Sequence, residues 1–127
     1  MRLKPYTDTV GKLTIGIGRN LTDVGISSSE AFYLFENDID RHWKELADRF
    51  PWVTSLDDVR QVAMTNLAFN LGVPGLAKFV NTLAAIKRGD WQTAANGLRR
   101  SLWFKQVQRS RSERIIGMIL TGAWPHA

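Results

Sequence analysis

The chain has 127 residues, of which 44% are hydrophobic and 23% charged, and its formal net charge is +5. This length favours one domain that can bury a working core. No apolar run approaches the roughly 18 residues that a membrane span needs, and the N-terminus lacks a signal-peptide pattern. Cysteine is absent, which excludes disulfides, thiol catalysis and cysteine-ligated metal and fits a reducing compartment. The positive charge favours polyanionic partners without choosing among nucleic acid, anionic membrane and acidic cell wall.

The stretch Tyr6 to Asn20, YTDTVGKLTIGIGRN, predicts a small twisted hairpin sheet. The turn falls at residues 9–11, because glycine reaches positive φ without steric cost, and a strand rich in β-branched residues follows. We expect this hairpin to bring Asp8 near Thr14. Asp8 is then either an ordinary turn residue, which the local pattern favours, or a reactive carboxylate.

A long helix is predicted after a loop at residues 21–26. Ser27 and Glu30 form a capping-box pattern at its start, and Pro51 ends it. One face of this helix is apolar at helical spacing, through Phe32, Phe35, Ile39, Trp43, Leu46 and Phe50.

A second helix is predicted to open at Ser55 and Asp58 by the same capping pattern and to end at Gly72. It is apolar on nearly all sides, as a central buried helix is. The remaining expected segments are a turn at 73–75, helices at 76–80 and 82–87, a helix from 91 to about 100 capped by Asp90, a basic irregular connection at 103–111 and a last helix at 112–120.

The expected architecture is a single α+β domain that is mostly helical, with a small N-terminal antiparallel sheet. Its parts are a sheet lobe at about 1–26, a connecting helix at about 27–50 and a helical lobe at about 51–127.

Several motifs resemble those of the phage-type lysozymes, the endolysin muramidases of tailed phages and prophages. They are, in chain order, LKPYTDTVGKLTIGIGRNL, ISSSEAFYLFENDI, NLAFNLGVPGL, FVNTL, GDWQTAAN, RSERII and TGAW. Each motif is weak alone, but their order and spacing are highly specific and cover essentially the whole chain. The resemblance implies a two-lobed, lysozyme-like fold whose groove holds a peptidoglycan strand.

The resemblance also implies a glycoside hydrolase without a cofactor, which cleaves the β-1,4 bond between N-acetylmuramic acid and N-acetylglucosamine. Such a protein is made in the cytoplasm of a bacterial host and acts in the periplasm after release. The family's catalytic set is a Glu, an Asp and a Thr, and Asp8 and Thr14 match the last two. The substrate-binding positions carried over are Gly18, Asn66, Phe69, Asn70, Asn96 and Arg111.

The family's catalytic Glu has no match, because the resemblance places it on a helix upstream of Met1. Glycoside cleavage normally uses two carboxyl groups, one of which protonates the leaving oxygen. Candidates elsewhere are poor: Glu30, Glu36 and Asp38 are predicted to face solvent, and Glu113 to form an ion pair with a neighbouring arginine.

Three explanations stay open. The chain lacks its natural start, or it is a wall-binding remnant without hydrolysis, or a partner chain supplies the acid. A missing helix would also expose apolar surface, so a monomer or a dimer that covers this surface is expected.

Other residues favour structural roles. Arg19 is expected at the surface, and Trp91, Trp103 and Trp124 in the core rather than as sugar platforms. His42 and His126 lack partners at ligand spacing, so no metal is expected. The basic patch is either a solvated face or a surface attracted to the anionic wall, and it comprises Arg99, Arg100, Arg109, Arg111 and Arg114. Nucleic-acid binding is a weaker alternative, because no recognisable motif supports it.

Overall fold

The computed structural model describes residues 1–125, so His126, considered above as a metal ligand, lies outside the described residues. The described chain forms two compact units, Met1–Asn37 and a second that begins at Asp38. The strands are β1 (Arg2–Thr7), β2 (Leu13–Gly16) and β3 (Arg19–Asn20). The helices are α1 (Ser28–Arg49), a 3₁₀ helix (Pro51–Ser55), α2 (Asp58–Leu71), α3 (Val73–Ala77), α4 (Val80–Lys87), α5 (Trp91–Arg99), α6 (Leu102–Gln106) and α7 (Arg109–Thr121). The predicted α+β class, mostly helical with an N-terminal sheet, is confirmed.

The sheet of the first unit is antiparallel in the order β1-β2-β3. Thr14, on the central strand, lies opposite Tyr6 on one side and Asn20 on the other. The register shifts between Arg2 and Tyr6, around Pro5, whose nitrogen has no hydrogen to donate. The first strand therefore begins upstream of the proline, because an edge strand tolerates a residue without an N–H.

Helix α1 begins with the predicted capping box. Ser27 N donates to Glu30 Oε1 at 2.9 Å, and Glu30 N donates back to Ser27 Oγ at 3.2 Å. The apolar face is buried only toward its C-terminal end, where Leu46 is fully buried, whereas Phe32 is 72% exposed. Thr14 is the one buried residue within residues 1–37, so the first unit has no hydrophobic core to cover the start of the helix.

The core lies in the second unit, with α2 at its centre as predicted. Six residues of α2 are buried, namely Val59, Ala63, Met64, Thr65, Leu67 and Ala68. The predicted cap at Ser55 was wrong, because Ser55 belongs to the 3₁₀ helix and lacks the extended backbone of an N-cap. Asp57 is extended instead, and its side chain accepts from Arg60 N at 3.1 Å.

Two irregular segments of the prediction are helical. The predicted turn at 73–75 opens α3, because Pro74 fits the first turn of a helix, where its missing N–H costs nothing. The predicted basic connection at 103–111 includes most of α6, which is capped by Ser101, and the start of α7. The cap at Asp90 is confirmed, since its Oδ1 accepts from Thr93 N at 3.3 Å.

Arg60 joins three helices of the second unit. Its Nε donates to Ile119 O at 2.7 Å and its Nη2 to Leu120 O at 3.2 Å, near the end of α7. Its guanidinium lies 3.7 Å from the ring centroid of Trp91, at the start of α5. These contacts satisfy terminal carbonyl groups of α7 that have no intrahelical partner.

Candidate active site

Asp8 organises the turn between β1 and β2. Its Oδ1 accepts from Val10 N at 2.9 Å and from Lys12 N at 2.8 Å, while its side chain is half-buried. Its Oδ2 has no hydrogen bond to any residue from 1 to 125. One carboxylate oxygen therefore has the structural role of a turn residue, and the other remains available for chemistry.

Thr14 lies beside this turn on the central strand and is only 4% exposed. Its Oγ1 donates to Lys12 O at 3.0 Å, and the same carbonyl accepts from Asp8 N at 2.9 Å. The structure thus brings the two predicted catalytic residues together around Lys12. Because the hydroxyl proton points to a carbonyl, the lone pairs of Thr14 Oγ1 can accept a hydrogen bond from a water molecule.

Two other carboxylates of the first unit are engaged in ion pairs. Arg19 Nη1 lies 2.7 Å from Glu30 Oε1, and this hydrogen bond, together with those from Ser27, lowers the pKa of Glu30 to about 2. Asp23 pairs with Lys12 Nζ at 3.2 Å. A group ionised at neutral pH cannot protonate a leaving oxygen, so Glu30 is unsuited to be the general acid.

Gly18 lines a pocket of about 670 Å³ in the first unit. Its φ is +80°, a backbone conformation that favours glycine, and a Cβ here would meet no heavy atom within 4 Å. The pocket wall also includes Tyr33 and the Arg19–Glu30 pair. The sequence did not predict Tyr33 as a pocket residue, because the helical pattern of α1 gives no sign of a cavity beside Gly18.

Three predicted binding residues lie on α2. Asn66 Nδ2 donates to Val62 O at 3.2 Å and Asn70 Nδ2 to Asn66 O at 2.9 Å, so both amides bond back along the helix. The amide oxygens keep their lone pairs for a ligand. Phe69 is 43% exposed, and its ring centroid lies 5.3 Å from that of His42.

A pocket of about 330 Å³ surrounds Asn66 in the second unit. Asp40 and Asp58 contribute carboxylates to its wall, and Trp43 contributes an indole. Sequence reasoning missed this pocket, since it placed Trp43 on the apolar face of α1. The sequence feature that could have indicated this pocket is the pair of acidic residues on the two helices, Asp40 on α1 and Asp58 on α2.

Asn96 and Arg111 lie apart from the Asn66 pocket. Asn96 Oδ1 accepts from Gln92 Nε2 at 3.0 Å on the surface of α5. Arg111 is exposed in the first turn of α7, where its guanidinium makes no hydrogen bond to the described residues. Glu113 forms an ion pair as predicted, but its partner is Arg99 on α5, at 3.5 Å, and not a neighbouring arginine of its own helix.

Residues 1–125 contain no group of three or more His, Cys, Asp or Glu side chains placed to hold a metal ion. His42 instead has its Nδ1 2.6 Å from Asp38 O. No helix in the described chain is both long and apolar enough to cross a membrane.

The sequence profile of the phage lysozyme family matches residues 1–117. The chain belongs to the phage lysozyme family. It is 35% identical, over 150 aligned positions, to the pre-baseplate central spike protein Gp5 of Enterobacteria phage T4. That alignment covers 96% of this chain but 26% of the spike protein, so the chain spans about a quarter of that relative.

Two further relatives come from Dictyostelium discoideum. Probable T4-type lysozymes 1 and 2 are 30% and 31% identical to this chain, each alignment covering 95% of it and 88% of the relative. The predicted family is therefore confirmed, and a lysozyme-like function is supported. The roles of Asp8, Thr14 and the binding residues stay predictions.

Proposed function

We propose that this chain is a muramidase domain of the phage endolysin type, which hydrolyses the β-1,4 bond between N-acetylmuramic acid and N-acetylglucosamine. The observation that carries the proposal is the pairing of Asp8 and Thr14 at Lys12 O. It leaves one carboxylate oxygen and one hydroxyl oxygen available beside the same peptide group.

Asp8 would stabilise positive charge on the anomeric carbon. Glycosidic cleavage passes through an oxocarbenium-like transition state, which a nearby carboxylate favours electrostatically. Thr14, held by its bond to Lys12 O, would position the attacking water. The buried hydroxyl keeps one orientation, which lowers the entropy lost on reaching the transition state.

The proton for the leaving oxygen must come from an acid other than Glu30, because the ion pair with Arg19 lowers the pKa of Glu30 to about 2. An acid on another segment or on a partner chain satisfies this requirement. Without such an acid the protonation step loses about 10²- to 10⁴-fold in rate.

Peptidoglycan is the proposed substrate. Asn66 and Asn70 offer amide oxygens and Phe69 an exposed ring, which suit the acetamide groups and the apolar faces of amino sugars. Gly18, Asn96 and Arg111 remain proposed contacts with the glycan. The protein would be made in the cytoplasm of a bacterial host and act in the periplasm after release.

The second candidate is a wall-binding protein of the same family without hydrolytic activity. The ion pair of Glu30 with Arg19 favours it, because the lowered pKa of about 2 leaves Glu30 ionised and unable to donate a proton at neutral pH. It requires the same binding residues and no reaction at Asp8.

The test is the loss of turbidity of Gram-negative cells stripped of their outer membrane, together with the release of reducing ends. Asp8→Asn is the matched control, because the amide oxygen can still accept the turn hydrogen bonds. We expect the parent to clear the cells and Asp8→Asn to fail. Equal clearing by both proteins would refute the role of Asp8. Sedimentation of both with cell-wall sacculi, without clearing by either, would establish the second candidate.

A further inference from the structure

We propose that the outer face of α7 carries a second saccharide-binding site, for a glycan that bears carboxylate groups. The inference rests on the proposed function, since its ligand is bacterial wall glycan. Its starting point is Trp124, which was expected in the core but is 56% exposed. Trp103 is 3% exposed and Trp91 is covered by Arg60, so the three predicted core tryptophans differ sharply.

The turn after α7 directs Trp124 back along the helix. Gly122 ends α7 with a φ of +66°, and its N donates to Met118 O at 2.9 Å. Ala123 N then donates to Thr121 Oγ1 at 3.1 Å. These bonds fix the direction of the chain after the helix, and Trp124 consequently lines a pocket with residues two and three turns earlier.

The pocket has a volume of about 380 Å³, within the range of small-molecule sites. Glu113, Arg114 and Gly117 line it together with Trp124. No aromatic ring or guanidinium stacks on the indole of Trp124 within residues 1–125. The apolar C–H face of a pyranose ring can therefore stack on the indole.

Gly117 lies in the interior of α7 and costs about 1 kcal/mol of helix stability relative to alanine. Its backbone is not in the left-handed region, and a Cβ at this position would meet no heavy atom within 4 Å. Neither conformation nor packing accounts for this glycine. Gly117 lines the pocket, so a side chain at this position would project into unoccupied space beside it.

The charge around the site favours an acidic ligand. Eleven basic and eleven acidic residues precede Trp91, whereas six basic residues and one acidic residue follow Asp90. That one acid, Glu113, pairs with Arg99. Arg114 uses its Nε on Ser110 O at 3.3 Å, and its terminal nitrogens have no hydrogen-bond partner among residues 1–125. The two terminal guanidinium nitrogens of Arg114 are thus available to bind a carboxylate.

The test uses Asp8→Asn protein, which we expect to bind the glycan without cleaving it, and soluble glycan strands released from bacterial peptidoglycan. The indole N–H signal of Trp124, assigned with Trp124→Phe, is followed by NMR as glycan is added. We expect this signal to shift in a saturable manner. Gly117→Gln should fill the pocket without removing any contact, and it should raise the Kd at this site at least tenfold.

Ala84→Gln is the matched control, because it adds the same side chain to an exposed position of α4. It should leave the Kd unchanged. A neutral N-acetylglucosamine oligomer should bind more weakly than the carboxylated strands, and this difference should disappear in Arg114→Gln. An unshifted Trp124 signal, an unchanged Kd in Gly117→Gln, or equal binding of the neutral oligomer would overturn the proposal.

The two proposals fail separately. The Trp124 signal reports on the α7 site, whereas the clearing of cells by parent and Asp8→Asn protein reports on the hairpin. If Asp8→Asn protein still clears cells, the proposed catalytic role of Asp8 is refuted. The α7 site is then still tested by the Trp124 signal.

Discussion

Asp8 and Thr14 hydrogen-bond to one carbonyl oxygen, that of Lys12. Asp8 donates through its backbone nitrogen at 2.9 Å, and Thr14 through its Oγ1 at 3.0 Å. The arrangement makes the turn and the proposed catalytic pair a single hydrogen-bonded unit. The informative substitutions are therefore those that remove the reactive group of Asp8 or Thr14 but keep the hydrogen bonds of the turn.

Asp8→Asn and Asp8→Ala should differ in stability but not in activity. Asparagine retains an oxygen that accepts from Val10 N and Lys12 N, whereas alanine removes both bonds. We expect the alanine variant to lose about 1 kcal/mol in the free energy of unfolding relative to the asparagine variant. Urea denaturation and cell clearing measure the two effects. Equal stability of both variants would mean that the turn bonds contribute nothing.

Thr14→Val should reduce both stability and clearing, because it replaces a buried hydroxyl by a methyl group and leaves the bond to Lys12 O unmade. We expect Thr14→Val to lose about 1 kcal/mol in the free energy of unfolding. Thr14→Ser keeps the hydroxyl and is the control for activity. Clearing rates and denaturation curves of the two variants test this, and a fully active valine variant would rule out a catalytic hydroxyl.

Glu30 should make the protein less stable as the pH falls from about 4.5 to about 2. Its hydrogen bond to Arg19 lowers its folded pKa to about 2, so in this window the unfolded chain binds more protons than the folded one. The stabilising contribution of the ionised Glu30 carboxylate is complete above about pH 4.5. Denaturation at stepped pH should give a flatter profile in Glu30→Gln and in Arg19→Met. Profiles parallel to that of the parent would contradict the linkage.

Arg60→Lys should destabilise the second unit by about 2 kcal/mol, because lysine cannot bond to Ile119 O and Leu120 O together while stacking on Trp91. The Arg60 side chain is only 12% exposed, so solvent replaces little of the loss. Arg41→Lys, at a side chain 59% exposed, should change stability by less than about 0.5 kcal/mol. Chemical denaturation of both variants measures the difference, and equal losses would refute the role assigned to Arg60.

Two helical glycines should respond to alanine with opposite signs. A Cβ at Gly97 would collide with Thr82 Oγ1, so Gly97→Ala should destabilise by about 1–3 kcal/mol. A Cβ at Gly117 meets nothing, so Gly117→Ala should stabilise by up to about 1 kcal/mol. Thermal unfolding of the two variants checks both signs, and a stabilising Gly97→Ala would show that Thr82 on α4 does not lie against Gly97 on α5.

Features set by a few neighbouring residues could be predicted from the sequence. The capping box of Ser27 and Glu30 and the cap at Asp90 depend on hydrogen bonds across three residues. The turn at Asp8 is equally local. The cap at Asp57 was missed because the competing pattern at Ser55 falls within a 3₁₀ helix.

Burial was less predictable, because it depends on what covers a side chain. Phe32 lies on the apolar face of α1 and Trp124 was expected in the core, but both remain exposed, because residue type and periodicity do not say whether another element packs against them. The Asn66 pocket likewise joins α1 to α2 within the second unit, and residue types alone do not indicate that approach. The candidate catalytic pair was accessible from sequence, whereas the cavities were not.

The turn from Asp8 to Lys12 is closed by hydrogen bonds made within five residues. None of them involves the hydrophobic core, which lies in the second unit. Mutations that repack the core therefore need not break the hydrogen bonds that hold the Asp8 side chain in its turn. Selection can therefore act on the stability of the core and on the geometry of the Asp8 turn separately. If the turn carries the reactive group, its few residues are the ones that selection must keep.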